Sequence, residues 1–482
     1  MSRMNSNTKV KVSMNRIKRN MRSCIFVLLS LYLVLLVYFA YTLFMYSDRW
    51  FADPGNTRVK VDMSNPRIIP GRIYDRNMLT LVETGTKTED NGQVVFYRKY
   101  HELSRCAAHV IGNRQLGIGA ETRFIKYLLG YDNNLIERVY QKAFLNREQG
   151  NNIILTIDIE LQRYADEALG DRSGSIVLIN PKNGEILAMV SHPDFDPSDP
   201  GKDMKNESLV NKAIYGKYPP GSIMKLITAA AAISHLEGAE EFTLECKGRT
   251  DIDGISVSCY SERAHGLVDM NRALEVSCNA YFAKLAVDLG WKNLRSTAER
   301  FGFNRDFIFE EVITTKSVFP TSGTKSTEEL AWAGVGQDEV LVSPLHMALI
   351  ASSIANDGKM PEPKLIHGIQ RRNGSIVYKS GTKTALNTVP TEIAQALKGM
   401  MINAVEEGTG KKAYKQGIEI AGKTGTAEVG NGSLPHAWFI GFAPAEDPSI
   451  AIAVIIERAG SGGSEAAPVA GDLISRAIRL GY

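Results

Sequence analysis

The chain has 482 residues, 44% apolar and 23% charged, enough for about three domains and unlike any disordered, collagen-like or low-complexity polypeptide. Five cysteines are too few for a disulfide scaffold. The net charge of +3 includes seven bases and no acid in residues 1–22 (Arg3, Lys9, Lys11, Arg16, Lys18, Arg19, Arg22), so residues 23–482 sum to −4, which excludes a folded basic surface for nucleic acid.

Residues 24–46 are 23 positions without a formal charge, rich in Leu, Val, Phe and Tyr. As a helix rising ~1.5 Å per residue they span about 34 Å, enough for a hydrocarbon core of ~30 Å. A cleaved leader would have a shorter apolar core and a small-residue cleavage site, and neither occurs. The bases precede the apolar run while Asp48 and Asp53 follow it. The expected layout is therefore a cytoplasmic basic tail (1–22), a single-pass transmembrane anchor in the cell membrane (23–46) and an extracytoplasmic remainder.

Residues 47–150 read as a small extended domain. Within it RIIPGRIYDRN (67–77) joins a Pro-Gly turn to a short apolar strand and a second turn. From about 151 the pattern is denser. A helix is predicted over 156–168, then a hairpin of 175–179 and 185–190 around Asn180-Pro181-Lys182-Asn183-Gly184. Helices are predicted over 222–235, 270–290 and 343–356, strands over 418–421, 437–442 and 449–457, and a final helix over 468–480. This order gives an α+β fold, an antiparallel sheet covered by helices, for residues 151–482.

The pattern Ser-x-x-Lys occurs at Ser6/Lys9, Ser222/Lys225, Ser322/Lys325 and Ser380/Lys383. Positions i and i+3 meet only on a helix, and the Ser322 and Ser380 copies are both Ser-Gly-Thr-Lys, which reads as a turn. Ser222 follows Pro219-Pro220-Gly221 and begins an Ala-rich helix. There a hydroxyl would sit at the positive end of the helix dipole with Lys225 one turn on, a nucleophile arrangement. Taken alone, the pair reads at least as well as an N-cap serine with a solvated lysine. Ser277-Cys278-Asn279 is a second candidate that alone reads as a polar helix cap. Lys423-Thr424-Gly425-Thr426 is the only Lys-Thr-Gly in the chain and closes the 418–421 strand.

Residues 417–424 also match the phosphate-loop pattern G-x-x-x-x-G-K-[ST]. That loop needs a helix after it, whereas residues 425–432 hold three glycines and no helical period, so no nucleotide is expected. Neither His-Glu-x-x-His nor paired Cys-x-x-Cys occurs. No metal and no cofactor is expected, and the eight histidines read as surface or core residues. Cys246 and Cys259, 13 residues apart on the oxidising side of the membrane, are expected to form a disulfide.

In their order the three short motifs resemble those of the penicillin-recognising serine acyltransferases. The likeness extends to residues 174–197 (GSIVLINPKNGEILAMVSHPDFDP), 219–225 (PPGSIMK), 334–344 (GVGQDEVLVSP) and 436–444 (HAWFIGFAP), which resemble the transpeptidase domain of class B penicillin-binding proteins. Residues 71–77 (GRIYDRN) resemble the start of that family's N-terminal pedestal; this pedestal is short, and Cys278 occupies the middle of the second motif.

The resemblance implies a peptidoglycan D,D-transpeptidase that takes the D-Ala-D-Ala end of one stem peptide and an amine from a neighbouring stem, and that β-lactams acylate. It implies Ser222 as nucleophile, Lys225 as base with a pKa lowered by burial and by a cation such as Lys423, and Ser277 and Asn279 as proton relay and amide holder. Lys423 and Thr424 would face the terminal carboxylate, the amides of Ser222 and Thr426 would form the oxyanion hole, and Gly425 would let a substrate strand approach the sheet edge. With no room for a glycosyltransferase domain, the expected partner is a membrane glycan polymerase of the SEDS family, contacted through residues 24 to about 150. A D,D-carboxypeptidase, a β-lactamase and a β-lactam sensor use the same fold and remain open at this level.

Overall fold

The computed structural model describes residues 6–51, 68–133, 148–199, 201, 206–321, 326–430 and 432–482. The chain forms two compact units that divide between residues 59 and 60. The first holds helix α1 (Ser6–Phe51). It runs past both ends of the predicted span because no Gly or Pro interrupts residues 6–51. Within Arg16–Thr42 an 18-residue window has mean hydropathy 2.5 and none of that window is buried by the protein, so the helix is long and apolar enough to cross a membrane.

The second unit includes, in its first part, β1 (Ile73–Tyr74), β2 (Thr80–Thr88), β3 (Val94–Tyr100) and β4 (Asn152–Leu155). Next come α2 (Ile159–Leu169), β5 (Gly174–Ile179), β6 (Ile186–His192), α3 (Met224–His235), α4 (Met270–Glu275) and α5 (Asn279–Arg300). The chain closes with α6 (Pro344–Ala355), β7 (Ile366–Gln370), β8 (Ile376–Lys379), α7 (Thr391–Glu406), β9 (Ala421–Ala427), β10 (His436–Ala443), β11 (Ile450–Ile456) and α8 (Gly462–Arg479).

Five strands in the order β9-β10-β11-β5-β6 form an antiparallel sheet with helices on both faces. The period of two explains how one strand serves both layers. In β11, Ile450, Ile452, Val454 and Ile456 pack with Ala466, Ala470, Leu473 and Ile474 of α8 and with Leu161 and Ala165 of α2. Ala451, Ala453 and Ile455 face the other way, into the core that holds α3 and α6. Every residue of α6 is buried, and all but His346, Ser352 and Ser353 are apolar, as a central helix requires. Ser343 caps it and Pro344 starts it.

A second sheet has the order β8-β7-β4-β1-β2-β3. Its strands come from residues 73–100, from 152–155 and from 366–379, so distant parts of the sequence share one sheet.

Within the second unit three predicted elements differ most from the structure. The strand expected over 418–421 is β9, which runs through Lys423, Thr424, Gly425 and Thr426 themselves. The helix expected over 270–290 is two helices, α4 and α5, with α5 itself kinked at Gly290. The last helix begins at Gly462, not at Pro468, because two poor helix formers, Gly462 and Gly463, open it against β9 and β10.

Candidate active site

Ser222 lies in a single 3-10 turn, Gly221–Ile223, that leads into α3. The turn is fixed from several sides. Tyr218 pairs with Val342, the Gly221 amide donates to Gly336 O at 2.9 Å, and Trp438 Nε1 donates to Pro219 O at 3.0 Å. Gly221 has φ +55°, and a Cβ there would lie 2.7 Å from the Thr426 carbonyl, so turn and β9 touch at backbone distance. The N-cap alternative for Ser222 fails, since neither the turn nor α3 has a side-chain capping bond. Lys225 is not solvated either: it is fully buried.

The Lys225 ammonium donates to Ser277 O at 2.7 Å, to Asn279 Oδ1 at 2.7 Å and to Ser277 Oγ at 3.3 Å. Lys423, also fully buried, donates to the same Ser277 Oγ at 3.0 Å and to Thr424 O at 3.0 Å. Asn279 Nδ2 donates to Ser258 O at 2.8 Å. One hydroxyl thus stands between two amines.

Ser277 is the middle one of the three residues between α4 and α5, with φ +60°. The Ser277 and Cys278 amides return to Leu274 O and Ala273 O, a helix-ending turn in which glycine usually takes the left-handed place. The predicted continuous helix therefore breaks at the motif.

Burial lowers the pKa of Lys225 to about 8, against a partial upward pull from Cys278, Cys259 and Cys246. Lys423 is lowered well below the ordinary lysine value, by burial first and by the Lys225 charge second. The expected cause for Lys225 was partly Lys423; burial is what lowers it, and the like charge acts on Lys423. Two buried amines on one hydroxyl favour a single positive charge between them.

β9 is an edge strand of its sheet, and beside it opens a groove of about 940 Å³. Ser222, Ser277, Asn279, Thr424 and Thr426 line it, while Lys225 and Lys423 lie beneath. Thr424 Oγ1 is 2.7 Å from Thr409 Oγ1, and Thr426 Oγ1 accepts from the Gly462 amide at 3.3 Å. Gly425 does not face a substrate as expected. A Cβ there would point inward, 2.7 Å from Pro220 O and 2.9 Å from Trp438 Cβ, so the glycine lets β9 seat against the serine's turn.

The other Ser-x-x-Lys copies lie elsewhere. Ser380 and Lys383 bond Glu311 and Glu310, Ser6 belongs to α1, and residues 322–325 are outside the described residues. Lys423 sits inside β9 and, among the described residues, no helix directly follows that strand, so the phosphate-loop match lacks its structural context.

Sequence reasoning did not pick out Thr409, Trp332, Arg263, Lys411 or Glu428, which also line the groove. Only the glycines flanking Thr409 carried a signal. The expected Cys246–Cys259 disulfide is not formed: both are free thiols with sulfurs 3.6 Å apart. A bonded pair would sit at ~2.05 Å. Instead Cys246, Cys259, His265 and Cys278 group with all four ligand atoms within 4.8 Å of one another, a cluster that no spacing in the sequence announces. A second group, Asp166, His192 and Asp194, is half-buried, with His192 bonded to Asp166 and to Gly170 O.

Helices on an antiparallel sheet, with a serine at a helix start beside an edge strand and two buried lysines, define the penicillin-recognising serine acyltransferase class. The penicillin-binding protein transpeptidase domain matches residues 174–475. The chain is 31% identical over 482 residues to the peptidoglycan D,D-transpeptidase PbpA of Mycolicibacterium smegmatis, which covers 90% of this chain and 94% of that one. It is 30% identical over 356 residues to the peptidoglycan D,D-transpeptidase MrdA of Acinetobacter baumannii, covering 66% of this chain and 52% of that one. The ceftriaxone acyl-enzyme structure of penicillin-binding protein A from Mycobacterium tuberculosis aligns with TM-score 0.76 and 28% identity over 85% of this chain and 98% of that chain. The chain belongs to the class B penicillin-binding proteins.

Proposed function

We propose that the protein is a membrane-anchored peptidoglycan D,D-transpeptidase that cross-links stem peptides through an acyl-enzyme on Ser222, and that β-lactams inhibit it by acylating the same serine. The observation that carries this reading is the meeting of Ser222, Lys225, Ser277, Asn279 and Lys423, from three distant stretches, around one groove. Lys225, as the free amine, takes the Ser222 proton while the hydroxyl attacks the penultimate D-Ala carbonyl. The tetrahedral oxyanion lies between the Ser222 and Thr426 amides; one such donor is worth ~3 kcal/mol in the transition state. Collapse breaks the C–N bond, and Ser277 Oγ passes a proton to the departing D-Ala amine. An amine of a second stem then attacks the ester and Ser222 recovers its proton.

Asn279 Oδ1 holds Lys225 with one lone pair and has a second for the substrate amide. Lys423 and Thr424 bind the terminal carboxylate. The N-terminus is cytoplasmic, the catalytic unit extracytoplasmic, and a SEDS-family glycan polymerase is the membrane partner, contacted through residues 24 to about 150.

Incubation of the full-length protein with a D-Ala-D-Ala stem peptide and an amine acceptor should give cross-linked product. Free acid alone would make it a carboxypeptidase. Fluorescent penicillin should label wild type and Ser380→Ala but not Ser222→Ala, and the bound label should persist for hours. Labelling that survives Ser222→Ala would sink the assignment, and rapid release would point to a β-lactamase.

A further inference from the structure

We infer that Cys246, Cys259, His265 and Cys278 form a tetrahedral site for one zinc ion, and that this ion braces the Ser277–Asn279 turn against the active-site floor. Zinc bound to thiolates at ~2.3 Å and to imidazole at ~2.0–2.1 Å places sulfurs about 3.8 Å apart and sulfur and nitrogen about 3.6 Å apart along the tetrahedron's edges. The distances here are 3.6 Å for Cys246–Cys259, 3.8 Å for Cys259–Cys278 and 3.5 Å from Cys246 Sγ to His265 Nδ1. A disulfide would use two of the three thiols and leave the third thiol and the imidazole unexplained. A closed set of three thiolates and one histidine suits a structural zinc.

The ligands come from segments that already hold one another. Cys246 ends a short strand, Leu244–Cys246, that pairs with Gly266–Val268, and the His265 amide donates to Cys246 O at 3.1 Å. Cys259 follows the strand Ile255–Ser258, and its amide donates to Gly248 O at 2.8 Å. The Asn279 and Ala280 amides, the first two of 22-residue α5, point at the Cys259 sulfur. Amide donors of this kind are the outer shell that thiolate zinc sites use. Three thiols are buried, while Cys259 and His265 reach the groove wall, which gives a metal ion its route in.

The link to catalysis is covalent continuity. Cys278 lies between Ser277 and Asn279, and Cys259 follows Ser258, whose carbonyl takes the Asn279 amide. A metal joining Cys259 to Cys278 therefore fixes both acceptors of Lys225, Ser277 and Asn279. The bracing half of this inference rests on Ser222 chemistry; the metal half does not.

The test uses full-length protein in detergent. Elemental analysis should find one zinc per chain, and the chelated protein should take up one equivalent of cobalt(II) with the sulfur-to-metal charge-transfer and intense visible bands of a tetrahedral thiolate site. Cys259→Ser should weaken zinc affinity by about a hundredfold or more, and Cys106→Ser should leave it unchanged. Penicillin acylation of wild type should slow at least tenfold on chelation and recover on adding zinc. A native Cys246–Cys259 disulfide, or failure to bind zinc and cobalt, overturns the site even if penicillin still labels Ser222. Equal acylation with and without zinc overturns the bracing role alone. If Cys259→Ser does not fold, the cobalt spectrum of wild type still decides.

Discussion

Ser277 holds a left-handed backbone, φ +60°, at the end of α4 and offers its hydroxyl to both Lys225 and Lys423. Glycine would fit that backbone without cost, whereas a Cβ residue costs about 1–2 kcal/mol there. Ser277→Gly and Ser277→Ala both lose the hydroxyl, so both should lose at least a hundredfold in acylation rate. Denaturant titration should find the glycine variant more stable than the alanine variant by about 1 kcal/mol. Equal stabilities would show that the turn relaxes on substitution. Lys225 makes a second prediction at this scale. Because burial brings its pKa to about 8, and only the free amine accepts a proton, acylation by penicillin should rise with slope near one up to about pH 8 and level off above it. A profile flat from pH 6 to 9 would remove Lys225 as the base. The three motifs were legible as residue types in order, and the resemblance implied a buried Lys225; the burial of Lys423 was not legible, since it depends on what β9 packs against.

At the level of elements, the site is a contact between one turn and one edge strand. Gly425 is what permits it: with Pro220 O only 2.7 Å from where a Cβ would sit, Gly425→Ala must push β9 and the Gly221–Ile223 turn apart. A displacement near 1 Å at an oxyanion donor costs about a hundredfold in rate. Stopped-flow acylation of Gly425→Ala should show a loss of this size with secondary structure retained; an unchanged rate would mean that Thr426 and Ser222 need no fixed spacing. The predicted hairpin around residues 180–184 appears as β5 and β6, because alternation and turn residues are local signals. The strand through Lys423 was placed too early, because a lysine and two threonines look solvent-facing until Ser277 and Thr409 supply their partners.

Across the whole chain, residues 60–482 form one unit apart from α1, and the sheet β8-β7-β4-β1-β2-β3 joins the region before residue 151 to the region after it. Protein lacking residues 1–59 should stay soluble and be acylated at the wild-type rate, while the full chain should resist alkaline extraction from membranes. A chain beginning at residue 151 loses β1, β2 and β3 and uncovers Ile153 and Leu155, both fully buried in the intact protein. At ~1.5–3 kcal/mol per exposed side chain, it should aggregate or unfold at markedly lower temperature. Equal stability of the two truncated chains would mean that this sheet contributes nothing to the catalytic unit.

The sequence alone determined the apolar N-terminal helix, the alternation of the central strands, the helix start after Ser222 and the order of the motifs, because each is written in neighbouring residues. Tertiary structure decided what depends on burial and long-range approach. It turned two lysines into depressed amines on one serine hydroxyl, turned Gly425 toward a turn two hundred residues away, and drew three thiols and an imidazole into tetrahedral spacing. Local periodicity carries no term for any of these, since each is set by which surface the folded chain brings against it.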